Sequence, residues 1–126
     1  MADKVYTGGC LCGAVRYEAR GEPFKAGVCH CRDCKRVTGT SFLAYADWKP
    51  DAFTYSGEVA TFDGRSFCPH CGSRLFSISD DQSEIYLGTL DETPSSIEPQ
   101  LEGWTIRREH WQPALPGLPQ YERDIP

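Results

Sequence analysis

Residues 10–12 read Cys-Leu-Cys, residues 29–34 read Cys-His-Cys-Arg-Asp-Cys, and residues 68–72 read Cys-Pro-His-Cys-Gly. These motifs hold all seven cysteines of the chain, an odd number that neither paired disulfides nor one four-ligand metal site can use up. A Cys-x-Cys pair and a Cys-x2-Cys-Gly turn can each aim two sulfurs at a single ion, the glycine relaxing the backbone so that N–H groups approach the thiolates. Cys10, Cys12, Cys68 and Cys71 are therefore expected to form a closed, all-cysteine structural zinc site. Cys29, Cys31 and Cys34 then offer three sulfurs and no evident fourth ligand. Three protein ligands with one open position is the pattern of catalytic zinc, so two zinc ions per chain are expected. A thiolate-rich zinc is a weak Lewis acid, poor at making hydroxide but suited to a soft fourth ligand such as a substrate thiol. The chemistry expected is chemistry at sulfur.

The spacing leaves other uses open. Cys29 could be a small buried hydrophobe, or the trio could be part of a second structural zinc completed by His30 or a distant residue. A redox dithiol at 31–34 lacks the βαβ context of thioredoxin-like motifs. His30 and His70 occupy the x positions of their motifs and are expected to point away from any metal. His110 is the histidine remote in sequence from every cysteine motif, which makes it a candidate proton shuttle as well as an ordinary surface or core histidine. Lys35, Arg36, Arg107 and Arg108 are candidates to meet the carboxylates of an acidic thiol, or simply solvated charges.

The chain that must position these groups alternates with period two. In 14–20 (AVRYEAR) Val15, Tyr17 and Ala19 share one face and Arg16, Glu18 and Arg20 the other, as a half-buried strand requires. Short strands are likewise expected at 41–48, 52–55, 59–62, 74–79 and 84–88, separated by turn signals at 56–57 (SG), 63–64 (DG) and 79–84 (SDDQSE). The one helical turn expected follows Cys31, around RDCKRV. The pattern is that of a mainly β domain spanning 1–126, with an extended proline-rich tail from about 112 laid over it and anchored by Trp111, Leu115, Leu118 and Tyr121.

At 126 residues the core is modest, and structural metal is a natural supplement. A net charge of −5 with scattered basic residues argues against nucleic acid as a partner. No apolar run approaches the ~20 residues needed to cross a bilayer. The opening MADKVYTGG lacks the apolar stretch of a secretion signal, so the expected compartment is the reducing cytoplasm, where cysteine clusters point to metal or catalysis.

In their order, GGCLCGAVRYEARG, CHCRDCKRVTGTSF, FCPHCGSRLF, LGTLD and a tail with W…LPGLPQYE resemble the glutathione-dependent formaldehyde-activating enzyme (GFA) family, from about residue 5 to 122. The resemblance implies a small zinc-bearing β-tent of two antiparallel sheets, with structural zinc on Cys10, Cys12, Cys68 and Cys71 and catalytic zinc on Cys29, Cys31 and Cys34. It also implies a carbon–sulfur lyase that joins formaldehyde to the thiol of glutathione. The alternatives are a lyase for another thiol adduct and a non-catalytic zinc-binding module.

Overall fold

The computed structural model describes residues 4–126; Met1–Asp3, part of the opening read for a secretion signal, lie outside the described residues. Ten strands are formed: β1 (Val5–Gly9), β2 (Arg16–Arg20), β3 (Lys25–Cys29), β4 (Leu43–Trp48), β5 (Phe53–Ser56), β6 (Ala60–Phe62), β7 (Arg65–Phe67), β8 (Arg74–Ile78), β9 (Ser83–Tyr86) and β10 (Glu102–Gly103). One helix, α1 (Arg32–Thr38), joins β3 to β4. The strands make two sheets, a three-stranded one in the order β1-β2-β5 and a seven-stranded one in the order β10-β3-β4-β9-β8-β7-β6. All pairings are antiparallel except a two-residue parallel pair of β10 with β3 at the edge of the larger sheet. The two-sheet, mainly β architecture expected above is the one formed. Among the described residues no helix is long and apolar enough to cross a membrane.

Each of the six expected strands is present within about two residues of its expected bounds. The stretch 84–88 is strand only through Tyr86, after which Leu87–Thr89 turns as a short 3-10 helix. Unexpected are β1, β3, β7 and β10. The sequence VYTGG of β1 and KAGVC of β3 are short and carry Gly, Ala or Lys, which favour strands weakly; both are recruited by pairing with β2 and β4.

The core lies between the sheets. Tyr6, Tyr17, Ala19 and Phe53 of the small sheet meet Ala46, Trp48, Phe76 and Ile85 of the large one in a single buried cluster. Its aromatic rings interlock: Phe76 stands edge-on to Phe53 at 5.0 Å and to Tyr17 at 6.1 Å, and Trp48 packs on Tyr6 at 5.6 Å. The Trp48 indole N–H donates to the Gly21 carbonyl at 2.9 Å, so burying it leaves no donor unpaired.

Strand β4 is buried on both faces. Ala46 and Trp48 point to the core between the sheets. Leu43 and Tyr45, on the opposite face by strand alternation, join Tyr86 in a second cluster against which Cys29, Cys34 and Val37 pack. That second cluster seats α1, through Cys34 and Val37, on the outer face of the large sheet beside Cys29 at the end of β3.

The tail crosses back over the large sheet, held by its backbone rather than by the apolar anchors expected. The Glu102 N–H donates to the Pro119 carbonyl, the Tyr121 N–H to the Glu102 carbonyl and the Trp104 N–H to the Arg123 carbonyl, at 2.9 to 3.1 Å. Leu118 and Tyr121 are partly covered, but Trp111 is 70% exposed and Leu115 38%.

Because Phe76 of the large sheet packs on the rings of Tyr17, Phe53 and Tyr55 of the small one, Phe76→Ala is expected to destabilise the fold by about 3–5 kcal/mol. The exposed Phe62 of β6 is the control, and Phe62→Ala is expected to stay within ~0.5 kcal/mol. Denaturant unfolding of both variants checks this, and equal losses would place the core elsewhere.

Candidate functional site

Four sulfurs, those of Cys10, Cys12, Cys68 and Cys71, lie within 4.8 Å of one another. Cys10 and Cys12 sit in the turn between β1 and β2, and Cys68 and Cys71 in the turn between β7 and β8. The two turns are built alike. In the first, Gly13 donates to the Cys10 carbonyl and the Cys10 N–H donates to Val15; in the second, Gly72 donates to the Cys68 carbonyl and the Cys68 N–H donates to Ser73. Both turns require left-handed backbone, met by Gly13 at φ 84° and Gly72 at φ 77°. The turns also aim N–H groups at sulfur, from Val15 to Cys10 at 3.2 Å and from His70 to Cys68 at 3.4 Å. The Ser73 hydroxyl and the backbone N–H groups of Ser73 and Cys12 hold the Cys71 thiol down to about 5, in the thiolate range a metal needs. All of this fits a closed tetrahedral sulfur site.

The second group is Cys29, Cys31 and Cys34, whose sulfurs also lie within 4.8 Å of one another. Cys29 ends β3, Cys31 is the N-cap of α1, and Cys34 is in the first turn of the helix. The capping geometry places the sulfurs: Cys31 takes extended backbone at φ −63° and ψ 155°, and its Sγ accepts from the Cys34 N–H at 3.3 Å. Hydrogen bonding from Cys34, with further help from Cys31, lowers the Cys29 thiol to about 6 although burial opposes it, while Cys34 is raised as the donor.

No other Cys, His, Asp or Glu among the described residues joins this trio. Its sulfurs instead line a cavity of about 540 Å³ shared with Lys25, Tyr45, Glu84, Trp104, Asp124 and Ile125. The donor set is sulfur only, as zinc accepts. The cavity volume falls within the range of small-molecule sites, roughly 300–1,000 Å³.

The histidines divide as their positions suggested. His30 is buried with Nε2 2.8 Å from Glu102 Oε1, turned away from the sulfurs flanking it in sequence. His110 is exposed and does not line the cavity, so the structure does not bring the expected proton shuttle to the thiols. Lys35 is spent on Glu109 at 2.8 Å, and Arg108 on Glu102 and Gln120; neither lines the cavity. The cation that does is Lys25.

Sequence reasoning missed Lys25, Glu84, Asp124 and Glu102. Glu102 had a visible signal, a carboxylate inside the apolar LEGW. It is 1% exposed and joins the tail to the loop of Cys29 and Cys31, accepting from the Leu115 N–H at 2.8 Å and the Gln120 amide at 2.9 Å as well as facing His30.

A family model described as glutathione-dependent formaldehyde-activating enzyme matches residues 5–107. The chain belongs to this family. An uncharacterized lyase of Schizosaccharomyces pombe is 30% identical over 76 residues, 56% of this chain and 56% of that protein; the chain thus spans little more than half the length of that curated relative. A crystal structure of a Rhodobacter sphaeroides protein shares the fold, with a TM-score of 0.52 at 18% identity over 91% of this chain and 98% of the other.

Glu102 also sets an acid limit on stability. Burial would raise its pKa, but hydrogen bonds from His30, Gln120 and the Leu115 backbone, with Arg108 nearby, hold it at about 2, against an ordinary 4.5. A depressed folded-state pKa stabilises above the unfolded value and is lost as pH falls, here between about 4.5 and 2. The loss is on the order of 3 kcal/mol for a shift of this size. Thermal melts from pH 5 to pH 2 are expected to show it in the native chain and to show a smaller slope in Glu102→Gln. An equal slope in both would assign the acid limit to other carboxylates.

Proposed function

From membership of this family we propose that the chain is a zinc-dependent carbon–sulfur lyase that joins formaldehyde, or a related aldehyde, to the thiol of glutathione. The observation that carries the reading is the sulfur trio on the wall of a cavity, with no fourth protein ligand beside it among the described residues. Cys10, Cys12, Cys68 and Cys71 would hold a structural zinc and Cys29, Cys31 and Cys34 a second one. That second zinc would supply a means of keeping a substrate thiol as a thiolate near neutral pH.

The chain's own residues do the rest. Lys25 offers the cavity an ammonium that suits a peptide carboxylate, and Trp104, Tyr45 and Ile125 give its wall apolar surface beside the sulfurs. Holding thiol and aldehyde together in such a space converts an encounter of two molecules into one bound geometry. The seven free thiols support the reducing cytoplasm as the compartment, and residues 1–126 are read as one such domain with its tail from about 112.

Protein purified without chelator is expected to carry two zinc ions per chain. Cys10→Ser should aggregate or unfold, whereas Cys31→Ser should stay folded with one zinc. Titration calorimetry should find glutathione bound by the zinc-loaded protein and S-methylglutathione bound much more weakly. Formation of S-hydroxymethylglutathione should exceed the uncatalysed rate in proportion to protein, with Cys31→Ser at the background rate. Equal binding of the two ligands would detach the thiol from the metal, and no turnover above background would leave a different thiol substrate or a non-catalytic module.

A further inference from the structure

A row of charged residues runs across the outer face of the large sheet towards the sulfur trio. Lys25 of β3 stands opposite Asp47 of β4, and Asp47 opposite Glu84 of β9; beyond them Glu84 pairs with Ser77 of β8 and Ser77 with Arg65 of β7. Strand alternation puts Lys25 on the face of Cys29, and Asp47 on that of Tyr45. Within this row Asp47 is 1% exposed, and neither of its carboxylate oxygens has a hydrogen-bond partner.

A buried ionised carboxylate with no donor is costly, and two carboxylates side by side do not both ionise. Two neighbours in the row can supply Asp47 with a donor, the Lys25 ammonium and, in its protonated form, the Glu84 carboxyl, and the second makes an acid pair. The pair then holds one proton, and its two members differ in access. Glu84 lines the cavity together with Cys29, Cys31 and Cys34, and Asp47 does not.

We propose that Glu84, positioned by Asp47, is the catalytic residue that carries the reaction's proton between the thiol and the aldehyde oxygen. The proposal rests on the lyase reading above. With the shared proton moved to Asp47, the thiol gives its proton to the Glu84 carboxylate. The sulfur lone pair forms the C–S bond as the carbonyl π pair moves to oxygen, and the alkoxide takes the proton back from Glu84. Thiol plus aldehyde becomes the hydroxyalkyl thioether with nothing added or left over, and the reverse reaction runs through the same two transfers.

The electrostatic surroundings agree with that duty. Burial above all, then the charges of Asp47 and Cys29, raise Glu84 to about 7, while Arg65 and Lys25 pull the other way. Burial likewise raises Asp47 to about 6 against Lys25 and Glu84. Asp124 faces the same cavity from the tail. A proton carrier works best with a pKa near the operating pH.

The test compares Glu84→Gln and Asp47→Asn with the native zinc-loaded protein. Glu84→Gln is expected to lower kcat by about 10²–10⁴-fold, to leave KM for glutathione, metal content and melting temperature near native values, and to remove the limb near pH 7 from the pH–rate profile. Asp47→Asn, which removes a repelling charge, is expected to move that limb to lower pH. Infrared difference spectra between pH 6 and pH 9 should show a protonated carboxyl in the native protein that is missing from Glu84→Gln, a readout that needs no turnover. A native rate in Glu84→Gln, or no such carboxyl in the native protein, overturns the proposal while leaving the lyase reading intact. Absence of any protein-dependent turnover in the native enzyme overturns the lyase reading, and the proton-carrying role with it.

Discussion

The gathering of Cys10, Cys12, Cys68 and Cys71 is the constraint on which the rest of the structure depends. Cys10 and Cys12 belong to the hairpin of the small sheet, and Cys68 and Cys71 to a hairpin of the large one. Their sulfurs meet within 4.8 Å only when the sheets lean together at that end. A core of this size gains only a few kcal/mol beyond its entropy cost, so a metal held by these four sulfurs would add stability by tying together hairpins 56 residues apart, from Cys12 to Cys68, where loop closure is otherwise expensive. The aromatic cluster of Tyr17, Phe53 and Phe76 then fills the space that the junction encloses.

Fixing the sheets in this way frees the opposite face of the large one. With the apolar side of β4 satisfied by the core, its outer side is left to α1, the sulfur trio and the tail. Glu102 links the last two, since its carboxylate faces His30, between Cys29 and Cys31, and takes the N–H of Leu115 and the amide of Gln120 in the tail. The segment that supplies Asp124 and Ile125 to the cavity wall is thus tied to the loop that supplies the thiols. Cavity shape and sulfur position are set by the same buried carboxylate.

The cysteine partition was legible because ligand spacing is a local property: Cys-x-Cys and Cys-x2-Cys-Gly fix their sulfurs within one turn whatever surrounds them. Strands with clean alternation, such as Arg16–Arg20, were legible for the same reason. What was not legible depends on pairing. The segment KAGVC becomes a strand only because Leu43–Trp48 lies beside it, and the row Lys25, Asp47, Glu84 exists only in the register of three strands separated by 22 and 37 residues. The tail misled for a related reason. Trp111 and Leu115 looked like apolar anchors, but backbone hydrogen bonds to Glu102 and Trp104 do the anchoring, and such bonds leave no mark in side-chain composition.

The same register explains why an acid pair is tolerated in a modest fold. A carboxylate at position 47 in a strand otherwise built of Leu, Ala, Tyr and Trp opposes the local preference for apolar residues, and such local conflicts persist where something other than folding is served. Removing Asp47 from water costs free energy, and Lys25 on one side and Glu84 on the other can offset only part of it, because Glu84 is itself pushed towards its neutral form by burial. A salt bridge alone would have been met by a second cation at position 84. A glutamate there stabilises a shared proton instead, on the cavity that the sulfurs of Cys29, Cys31 and Cys34 also line. One cavity is thus lined by both thiolate-forming sulfur and a proton-holding carboxyl, the two kinds of group that the proposed addition of a thiol to a carbonyl requires.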